Sequence, residues 1–280
     1  MGGSGERRRR GDPGVSALKQ ILVIGGLDPG AGAGITADVK TAAAHGVHAL
    51  TVVTSVTAQD AGGLRAAMPV PPELLLEELR SAVRDVPVAA VKIGMLGDAA
   101  TVRTVADFLR ENDLGPVVVD PVLRASAGGS LLDGEGRQLL TEELLPLAAL
   151  VTPNLAEAAA LCGFPVEDRA AMEKAGRAIV ERFACGAVVK GGHLPGAPFD
   201  LVCVPGQAPH WLPGERRMHH EVHGTGCAFS TALACRLAEG LAPVAAAQAA
   251  KRYLAAAIAG AESATRDPSA PRRLRFFPHS

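Results

Sequence analysis

Residues 20–34 have the sequence QILVIGGLDPGAGAG, an apolar run that passes directly into a glycine-rich turn. Such a run, ended by glycines, predicts a buried strand, because a strand covered on both faces carries apolar side chains at successive positions. A helix is expected next, over residues 33–45. Ile35 and Val39 recur there at helical spacing, and Gly46 can end the helix. This order of strand, loop and helix is typical of an α/β sheet.

The same alternation continues along the chain. Further strands are predicted over residues 49–57, 89–93, 116–119, 147–151 and 187–189, and helices over 71–84, 99–111, 155–162, 170–183, 227–239 and 243–263. Repeated alternation of this kind predicts an α/β fold with a mostly parallel central sheet covered on both faces by helices. Residues 199–211, with Met218, predict a hairpin-like addition near the far edge.

The organisation indicates one domain, over residues 18–265, since no internal repeat or low-complexity linker divides it. Residues 1–17 are rich in glycine and arginine and predict a disordered extension, because no apolar segment follows the arginine run to make a secretory signal. A nucleic-acid-binding arm is the alternative interpretation of that run. Residues 266–280 predict a basic, partly disordered tail.

The composition narrows the class of partner. The chain has 280 residues, a formal net charge of -1 and 48% hydrophobic residues, so it can bury a substantial core. A protein that binds nucleic acid or a membrane surface would carry a clear basic excess, so a small-molecule partner is favoured. The five cysteines form no C-x-x-C pair, which indicates free thiols in a reducing compartment, the cytoplasm.

The glycine-rich loop over residues 25–34 is the first candidate site. Its small residues let backbone approach a ligand, and Asp28 can hydrogen-bond one. No Gly-Lys-Ser/Thr follows, so the loop is not a Walker A motif. A nicotinamide-dependent dehydrogenase remains a rival interpretation of the glycines, but it needs an acidic residue after the second strand, and Asp60 lies among turn residues.

A second candidate site follows the strand predicted over residues 147–151. Asn154 and Glu157 lie one helical turn apart, on the same side, as oxygen ligands of a hydrated magnesium ion would. The structural alternative is a capping box, in which Asn154 caps the helix and Glu157 bonds back to it.

The third candidate site is His223-Gly224-Thr225-Gly226-Cys227, directly before an apolar helix. Glycines at a helix start present free N–H groups and the positive end of the helix dipole, which predicts an anion site. The same position predicts a lowered pKa for Cys227, with a small buried hydrophobe as the alternative. His219, His220 and His223 also suggest a transition-metal site. Solvated histidines are the favoured interpretation, because no carboxylate or cysteine ligand supports a metal there.

Taken together, the motifs resemble the hydroxymethylpyrimidine/phosphomethylpyrimidine kinase family of the ribokinase superfamily, from about residue 20 to residue 260. The motifs that carry the resemblance are Asp28-Pro29, Gly32-Ala33-Gly34, Ala37-Asp38, Val56-Thr57-Ala58-Gln59, Lys92-Ile93-Gly94-Met95-Leu96, Asp120-Pro121-Val122, Thr152-Pro153-Asn154 with Glu157, Val189-Lys190-Gly191-Gly192-His193 and His223-Gly224-Thr225-Gly226-Cys227.

The resemblance implies a ribokinase-like three-layer αβα sandwich, usually dimeric. It implies that ATP and Mg²⁺ are used to phosphorylate 4-amino-5-hydroxymethyl-2-methylpyrimidine and then its monophosphate, in thiamin biosynthesis. Gly224, Thr225 and Gly226 would form the anion hole for the transferring phosphoryl group. Cys227 would stand where most of the superfamily has an aspartate base.

The remaining roles also follow from the resemblance. Asn154 and Glu157 would organise the magnesium. The implied nucleotide-binding residues are Lys190, Asp120, Asn154 and Gly226, and the implied substrate-binding residues are Asp28, Gly26, Thr36, Met95 and Gly94.

The glycine-rich loop departs from the family pattern Gly-Ser-Asp-Pro-Ser-Gly-Gly-Ala-Gly-Ile-Gln. Leu27 and Gly30 replace the two serines, Ala31 replaces a glycine, and Thr36 replaces the glutamine expected to contact polar atoms of the pyrimidine. Pyridoxal or a related vitamin alcohol is therefore an alternative substrate. A non-catalytic ligand-binding relative is the non-enzyme alternative, although it would have no need of the phosphoryl-transfer residues.

Overall fold

The structure is a computed structural model, and it describes most of the chain between Leu18 and Phe276. The described residues are 18–60, 63–123, 131–192, 194, 196, 198–214, 222–261 and 272–276. The predicted extension over residues 1–17, most of the predicted tail, and Met218, His193, His219 and His220 lie outside them.

Nine of the described strands form one sheet, in the order β3-β2-β1-β4-β5-β6-β7-β8-β9. They are β1 Gln20–Leu27, β2 His48–Asp60, β3 Gly63–Pro69, β4 Ala90–Ile93, β5 Val117–Val119, β6 Leu150–Val151, β7 Gly186–Lys190, β8 Phe199–Cys203 and β9 His210–Pro213. Six neighbouring strands are parallel, namely β2, β1, β4, β5, β6 and β7, while β3, β8 and β9 are antiparallel additions at the two edges. The predicted edge hairpin is confirmed as β8 and β9.

Helices cover both faces of this sheet. They are α1 Gly34–Ala44, α2 Pro72–Val83, α3 Ala99–Glu111, α4 Gly134–Leu139, α5 Leu155–Cys162, α6 Arg169–Phe183, α7 Thr225–Ala238 and α8 Pro243–Ala259. A π-helical turn over Leu140–Leu144 and a 3-10 turn over Leu145–Leu147 continue from α4. A second, two-stranded sheet pairs β10 Val222–His223 with β11 Arg272–Arg273.

Side chains of β1 alternate between the two helical layers. Leu22 and Ile24 belong to the core shared with α2, α3 and α6. Ile21 and Val23 face the core shared with α1, α7 and α8. Because successive side chains of a strand point to opposite faces, a fully apolar strand requires a layer on each side. The predicted three-layer αβα sandwich is confirmed.

Several short elements were not predicted from the sequence: β3, α4 with the two turns that follow it, β10 and β11. β3 escaped detection because most of its residues are exposed, so no alternation of buried and exposed side chains marks it. The strand predicted over residues 147–151 is reduced to Leu150–Val151, since the preceding residues complete the 3-10 turn. The helix predicted to reach residue 263 ends at Ala259. Within the described part of the chain, helices long and apolar enough to cross a membrane are absent.

Candidate active site

A cavity of 1490 Å³ opens at the carboxyl ends of the parallel strands. It lies where the sheet order reverses between β1 and β4, which is where open α/β sheets bind ligands. Ten of the predicted site residues border it: Gly26, Met95, Asp120, Asn154, Glu157, Lys190, Gly224, Thr225, Gly226 and Cys227. The structure brings these residues together, while their individual roles stay predictions.

Three predicted substrate residues do not border the cavity, as far as the described residues define it: Asp28, Thr36 and Gly94. The carboxylate of Asp28 instead accepts hydrogen bonds from the amides of Gly30 (2.8 Å), Gly32 (3.1 Å) and Ala33 (2.9 Å). Burial opposes the charge, but these bonds and nearby His223 hold the pKa of Asp28 well below its usual range. Asp28 therefore holds the glycine-rich loop closed upon itself.

The glycine-rich loop contacts the start of α7. A side chain at Gly224, which has φ +82°, would collide with the carbonyl of Gly32. His223 Nε2 lies 3.4 Å from Asp28 Oδ2, and this contact joins the same two loops. Gly34, with φ +59°, is equally restricted, because a side chain there would meet the carbonyl of Gly26. These glycines are needed for close approach and for left-handed backbone.

Cys227 lies in the first turn of α7 and borders the cavity. The amide of Gly34 donates a hydrogen bond to its sulfur. Burial raises the pKa of the Cys227 thiol to about 11, even though Lys92 acts in the opposite direction. The expectation that the helix N-terminus lowers this pKa was wrong, because desolvation of the thiolate outweighs the helix dipole.

Lys190 and Asp120 form an ion pair beside this turn, with Lys190 Nζ 2.8 Å from Asp120 Oδ1. Thr152 Oγ1 also donates to Asp120 Oδ1, at 3.0 Å. A Cβ added at Gly226 would lie 3.3 Å from Asp120 Oδ2 and 3.5 Å from Lys190 Nζ. Although burial opposes both charges, the pair raises the pKa of Lys190 and lowers that of Asp120. A charged lysine therefore faces the turn that was predicted to bind an anion.

Asn154 and Glu157 form the capping box that was the structural alternative. Asn154 Oδ1 accepts from the Glu157 amide at 2.9 Å, and Glu157 Oε2 accepts from the Asn154 amide at 2.7 Å. Both side chains still border the cavity. Burial raises the pKa of Glu157 to about 7, although Lys190 opposes the shift. The cap and a ligand role are compatible, because a carboxylate can accept more than one interaction.

The buried pair Lys92–Asp38 was not predicted from the sequence. Lys92 Nζ lies 2.7 Å from Asp38 Oδ2, and Thr231 Oγ1 donates to Asp38 Oδ1 at 2.6 Å. The available signal was a lysine inside the apolar strand β4, where an unpaired charge is very costly. A second missed pair, Lys251–Asp200 at 2.6 Å, borders the cavity at the β8 side, where Asp200 also accepts from the Gly191 amide.

Asp60, which the dehydrogenase interpretation would need, is not placed for a ribose. It pairs with Arg65 at 2.9 Å on the exposed β2–β3 hairpin. The histidine metal site cannot be assembled from the described residues, because His219 and His220 lie outside them and His223 contacts Asp28.

Comparison with known proteins agrees with this geometry. The sequence profile of a family described as "Phosphomethylpyrimidine kinase" matches residues 28–269. A hydroxymethylpyrimidine/phosphomethylpyrimidine kinase of Streptomyces coelicolor is 42% identical over 238 residues, which are 85% of this chain and 88% of that protein.

Two solved structures share the fold. The pyridoxal kinase of Staphylococcus aureus in complex with AMP-PCP and pyridoxal superposes with a TM-score of 0.84 and 28% identity, covering 94% of this chain and 95% of that one. A phosphomethylpyrimidine kinase of Clostridium difficile 630 superposes with a TM-score of 0.76 and 30% identity, covering 86% of this chain and 99% of that one. The ribokinase-like fold implied by the resemblance is thereby confirmed. The chain therefore belongs to the phosphomethylpyrimidine kinase family of phosphotransferases.

Proposed function

We propose that this protein transfers the γ-phosphoryl group of ATP to 4-amino-5-hydroxymethyl-2-methylpyrimidine and then to the resulting monophosphate, in thiamin biosynthesis. The observation that carries the proposal is the convergence, in a member of this family, of the α7 turn, the Lys190–Asp120 pair and Cys227 on one cavity. Phosphoryl transfer depends mainly on positioning and on stabilisation of charge, and this cavity offers both.

Each group has a stated part in the transfer. The amides of Thr225, Gly226 and Cys227 lack acceptors within the helix and are available to the transferring phosphoryl oxygens. Lys190 lies beside them and supplies a positive charge to the nucleotide phosphates. In the first step the substrate oxygen forms a bond to the γ-phosphorus as the bond to the β–γ bridging oxygen breaks and ADP leaves. The substrate proton passes to the thiolate form of Cys227, which becomes a thiol.

The two steps place different demands on Cys227. The first acceptor is a hydroxyl and must lose a proton, whereas the second acceptor is already a phosphate oxyanion. A thiol with a pKa of about 11 is deprotonated in only about one molecule in 10⁴ at pH 7. We therefore expect the first step to be the slower one near neutral pH and to accelerate as the pH rises.

Mg²⁺ is proposed to bind near Asn154 and Glu157, supported by the buried Glu157 carboxylate at the cavity wall. The described residues contain no cluster of three or more His, Cys, Asp or Glu side chains able to hold a metal alone. The side-chain oxygens of Asn154 and Glu157 fit Mg²⁺, which commonly takes one or two protein oxygens and completes its shell with phosphates and water. When bound, the ion would neutralise developing charge on the nucleotide phosphates.

Pyridoxal is a second candidate substrate, favoured by the superposition on the pyridoxal kinase of Staphylococcus aureus. In the cavity, Gly26 and Met95 adjoin each other, since a Cβ at Gly26 would lie 3.0 Å from Met95 Sδ. Thr36 does not border the cavity and so offers no ring contact in place of the family's glutamine. Such an apolar wall can accept either ring.

A homodimer is proposed as the assembled form. Val56 and Met68 are cross-strand partners on β2 and β3, and they are 52% and 71% exposed. The same hairpin contributes Gln59 and Leu64 to the cavity wall, so a second copy covering it would also shield the site. Light scattering of wild type and of a Met68→Lys variant would test this, with a monomeric wild type contradicting it. A cytoplasmic location is also proposed, supported by the free state of all five cysteines.

The function is tested by measuring ADP release with ATP and Mg²⁺ on the pyrimidine alcohol, its monophosphate and pyridoxal, each offered separately. Turnover of the first two supports the proposal, and turnover of pyridoxal alone moves the substrate while retaining the chemistry. No turnover by folded protein would favour the ligand-binding alternative. The Cys227→Ala variant should slow the first step much more than the second, with Cys162→Ala as the matched control. Equal losses in both steps would refute this use of Cys227.

A further inference from the structure

Lys92 is a buried lysine in the wall of the cavity. Its side chain is 1% exposed and that of Asp38 is not exposed at all, yet Lys92 borders the cavity. Gly94 leaves room for the ammonium group, since a Cβ there would lie 2.8 Å from Lys92 Nζ. Asp38 is fixed on its other side by Thr231 of α7. The ammonium group is therefore held by Asp38 of α1, and Asp38 is held in turn by Thr231 of α7.

The same network reaches Cys227. Thr231 follows Cys227 by four residues on α7, which places the two side chains on the same face of that helix. The amide of Gly34, at the start of α1, contacts the sulfur, while Asp38 lies one turn further along α1. Lys92 and Cys227 therefore border the same cavity and are joined through Asp38 and Thr231.

Four charged groups act on the Cys227 sulfur. Lys92 on β4 and Lys190 on β7 favour the thiolate, whereas Asp38 on α1 and Asp120 after β5 oppose it. Lys92 acts more strongly than Asp38, although the two are paired. Burial by itself would lower the pKa of Lys92, but Asp38 and Asp120 raise it above its usual range, so the positive charge is retained.

A buried ion pair is weak evidence for a purely stabilising role. Removing two charges from water is costly, and an apolar pair of similar volume often stabilises a core as well or better. A charge placed at a reacting centre, in contrast, acts strongly because water is excluded there.

We propose that Lys92, oriented by Asp38 and Thr231, is a positioning residue that stabilises negative charge on the Cys227 sulfur and so makes Cys227 competent to accept the substrate proton. The inference rests on the proposed function for its catalytic consequence. The effect on the thiol needs no substrate and can be measured separately.

The thiol is tested by alkylation with iodoacetamide, a neutral reagent that the lysine does not attract, followed by peptide-resolved mass spectrometry at about pH 8.5. Below the thiol pKa the rate follows the thiolate fraction, so a rise of one pKa unit slows alkylation about tenfold. We expect Lys92→Met to slow alkylation of Cys227 by about that factor. Cys162 on α5 serves as the internal control and should react at an unchanged rate.

A second variant keeps the test decisive if Lys92→Met fails to fold. Lys92→Met/Asp38→Asn removes both charges and leaves an amide that Thr231 can still bond. Because Lys92 outweighs Asp38 at the sulfur, the double variant should also slow alkylation of Cys227, by a smaller factor. Unchanged alkylation of Cys227 in the folded variants would overturn the proposal.

Activity provides the second readout. Lys92→Met/Asp38→Asn should slow the first phosphorylation with little change in the KM for ATP, and it should have little further effect when Cys227 is already alanine. Equal losses in the presence and absence of the thiol would assign Lys92 a structural role and contradict the inference. Slower alkylation without any kinase activity in wild type would instead refute the proposed function and leave the effect of Lys92 on the thiol established.

Discussion

The two lysine–carboxylate pairs at the centre of the molecule are nearly identical in length and differ in surroundings. Lys92 and Asp38 are 2.7 Å apart and sealed, with 1% and 0% of their side chains exposed. Lys190 and Asp120 are 2.8 Å apart, with 18% and 4% exposed, and lie beside the α7 turn. The first lysine is enclosed with its partner, whereas the second is partly exposed at the cavity. The length of the ion pair alone therefore does not separate an enclosed charge from one that a ligand could reach.

The two ion pairs should also differ in the free energy that is lost when one partner is removed. A sealed pair that loses one partner leaves an uncompensated charge in the core, whereas a pair at a cavity wall can be rescued by water or by ligand. Replacement of Lys92 should therefore reduce stability more than replacement of Lys190, whereas replacement of Lys190 should affect mainly catalysis.

The largest effect is expected for Lys92→Met, which leaves Asp38 buried with only Thr231 as a partner. We expect the free energy of unfolding to fall by about 3–5 kcal/mol, measured by urea denaturation. The double variant Lys92→Met/Asp38→Asn should recover most of the loss. A loss of stability in the double variant as large as in the single variant would show that the pair itself, rather than the stranded charge, stabilises the fold.

Next in size is Lys190→Met, which removes the positive charge facing the α7 turn. We expect kcat to fall by about 10²–10³-fold, the range measured when one preorganised donor is removed from an active site. Stability should decrease less than in Lys92→Met, because Lys190 is partly open to solvent. Lys19→Met, at an exposed lysine, is the matched control. A variant that loses stability but keeps kcat would reverse the assignment of the two pairs.

The buried thiols extend the comparison to pH. Burial raises the pKa of Cys185 and Cys203 to about 11 and that of Cys235 to about 12. The unfolded chain releases these protons near pH 9 and the folded chain does not, so the stability they contribute is complete below pH 9 and is lost as the pH rises. By pH 10 each buried thiol should lower the free energy of unfolding by about 1.4 kcal/mol relative to its value below pH 9.

This dependence is checked by urea denaturation of wild type and Cys235→Ala at about pH 8 and pH 10. The alanine variant has its own constant loss from the missing sulfur, but its further loss at alkaline pH should be smaller by about 1.4 kcal/mol. Parallel curves for the two proteins would mean that Cys235 titrates normally.

The smallest effect is expected for Arg177→Met, which breaks the exposed Arg177–Glu173 pair of 2.8 Å on α6. An exposed pair of this spacing contributes about 0.3–0.5 kcal/mol, and salt screens it. The change in unfolding free energy should be near that value and should vanish at high salt. A loss approaching that of Lys92→Met would contradict the link between burial and cost on which the comparison depends.

Local patterns were sufficient for many elements. α3 and α5 begin and end at the predicted residues, because each has its own start signal: Asp98 caps α3, and the Asn154–Glu157 box caps α5. β3 could not be predicted, since its residues are mostly exposed and its existence depends on pairing with β2. The two-residue strands β10 and β11 could not be predicted for the same reason, because each exists only through pairing with residues 50 positions away in the sequence.

The sequence by itself determined the fold class, the candidate loops at the strand ends and the family resemblance, because these depend on residue type and on spacing over short segments. Tertiary structure alone decided which side chains meet. Asp38 and Lys92 are 54 residues apart, and Asp38 and Thr231 are 193 apart. Burial, which raises the pKa of Cys227 against the helix dipole, is likewise a property of the packed molecule. Charge and desolvation depend on neighbours in space, and those neighbours come from segments that no local pattern connects.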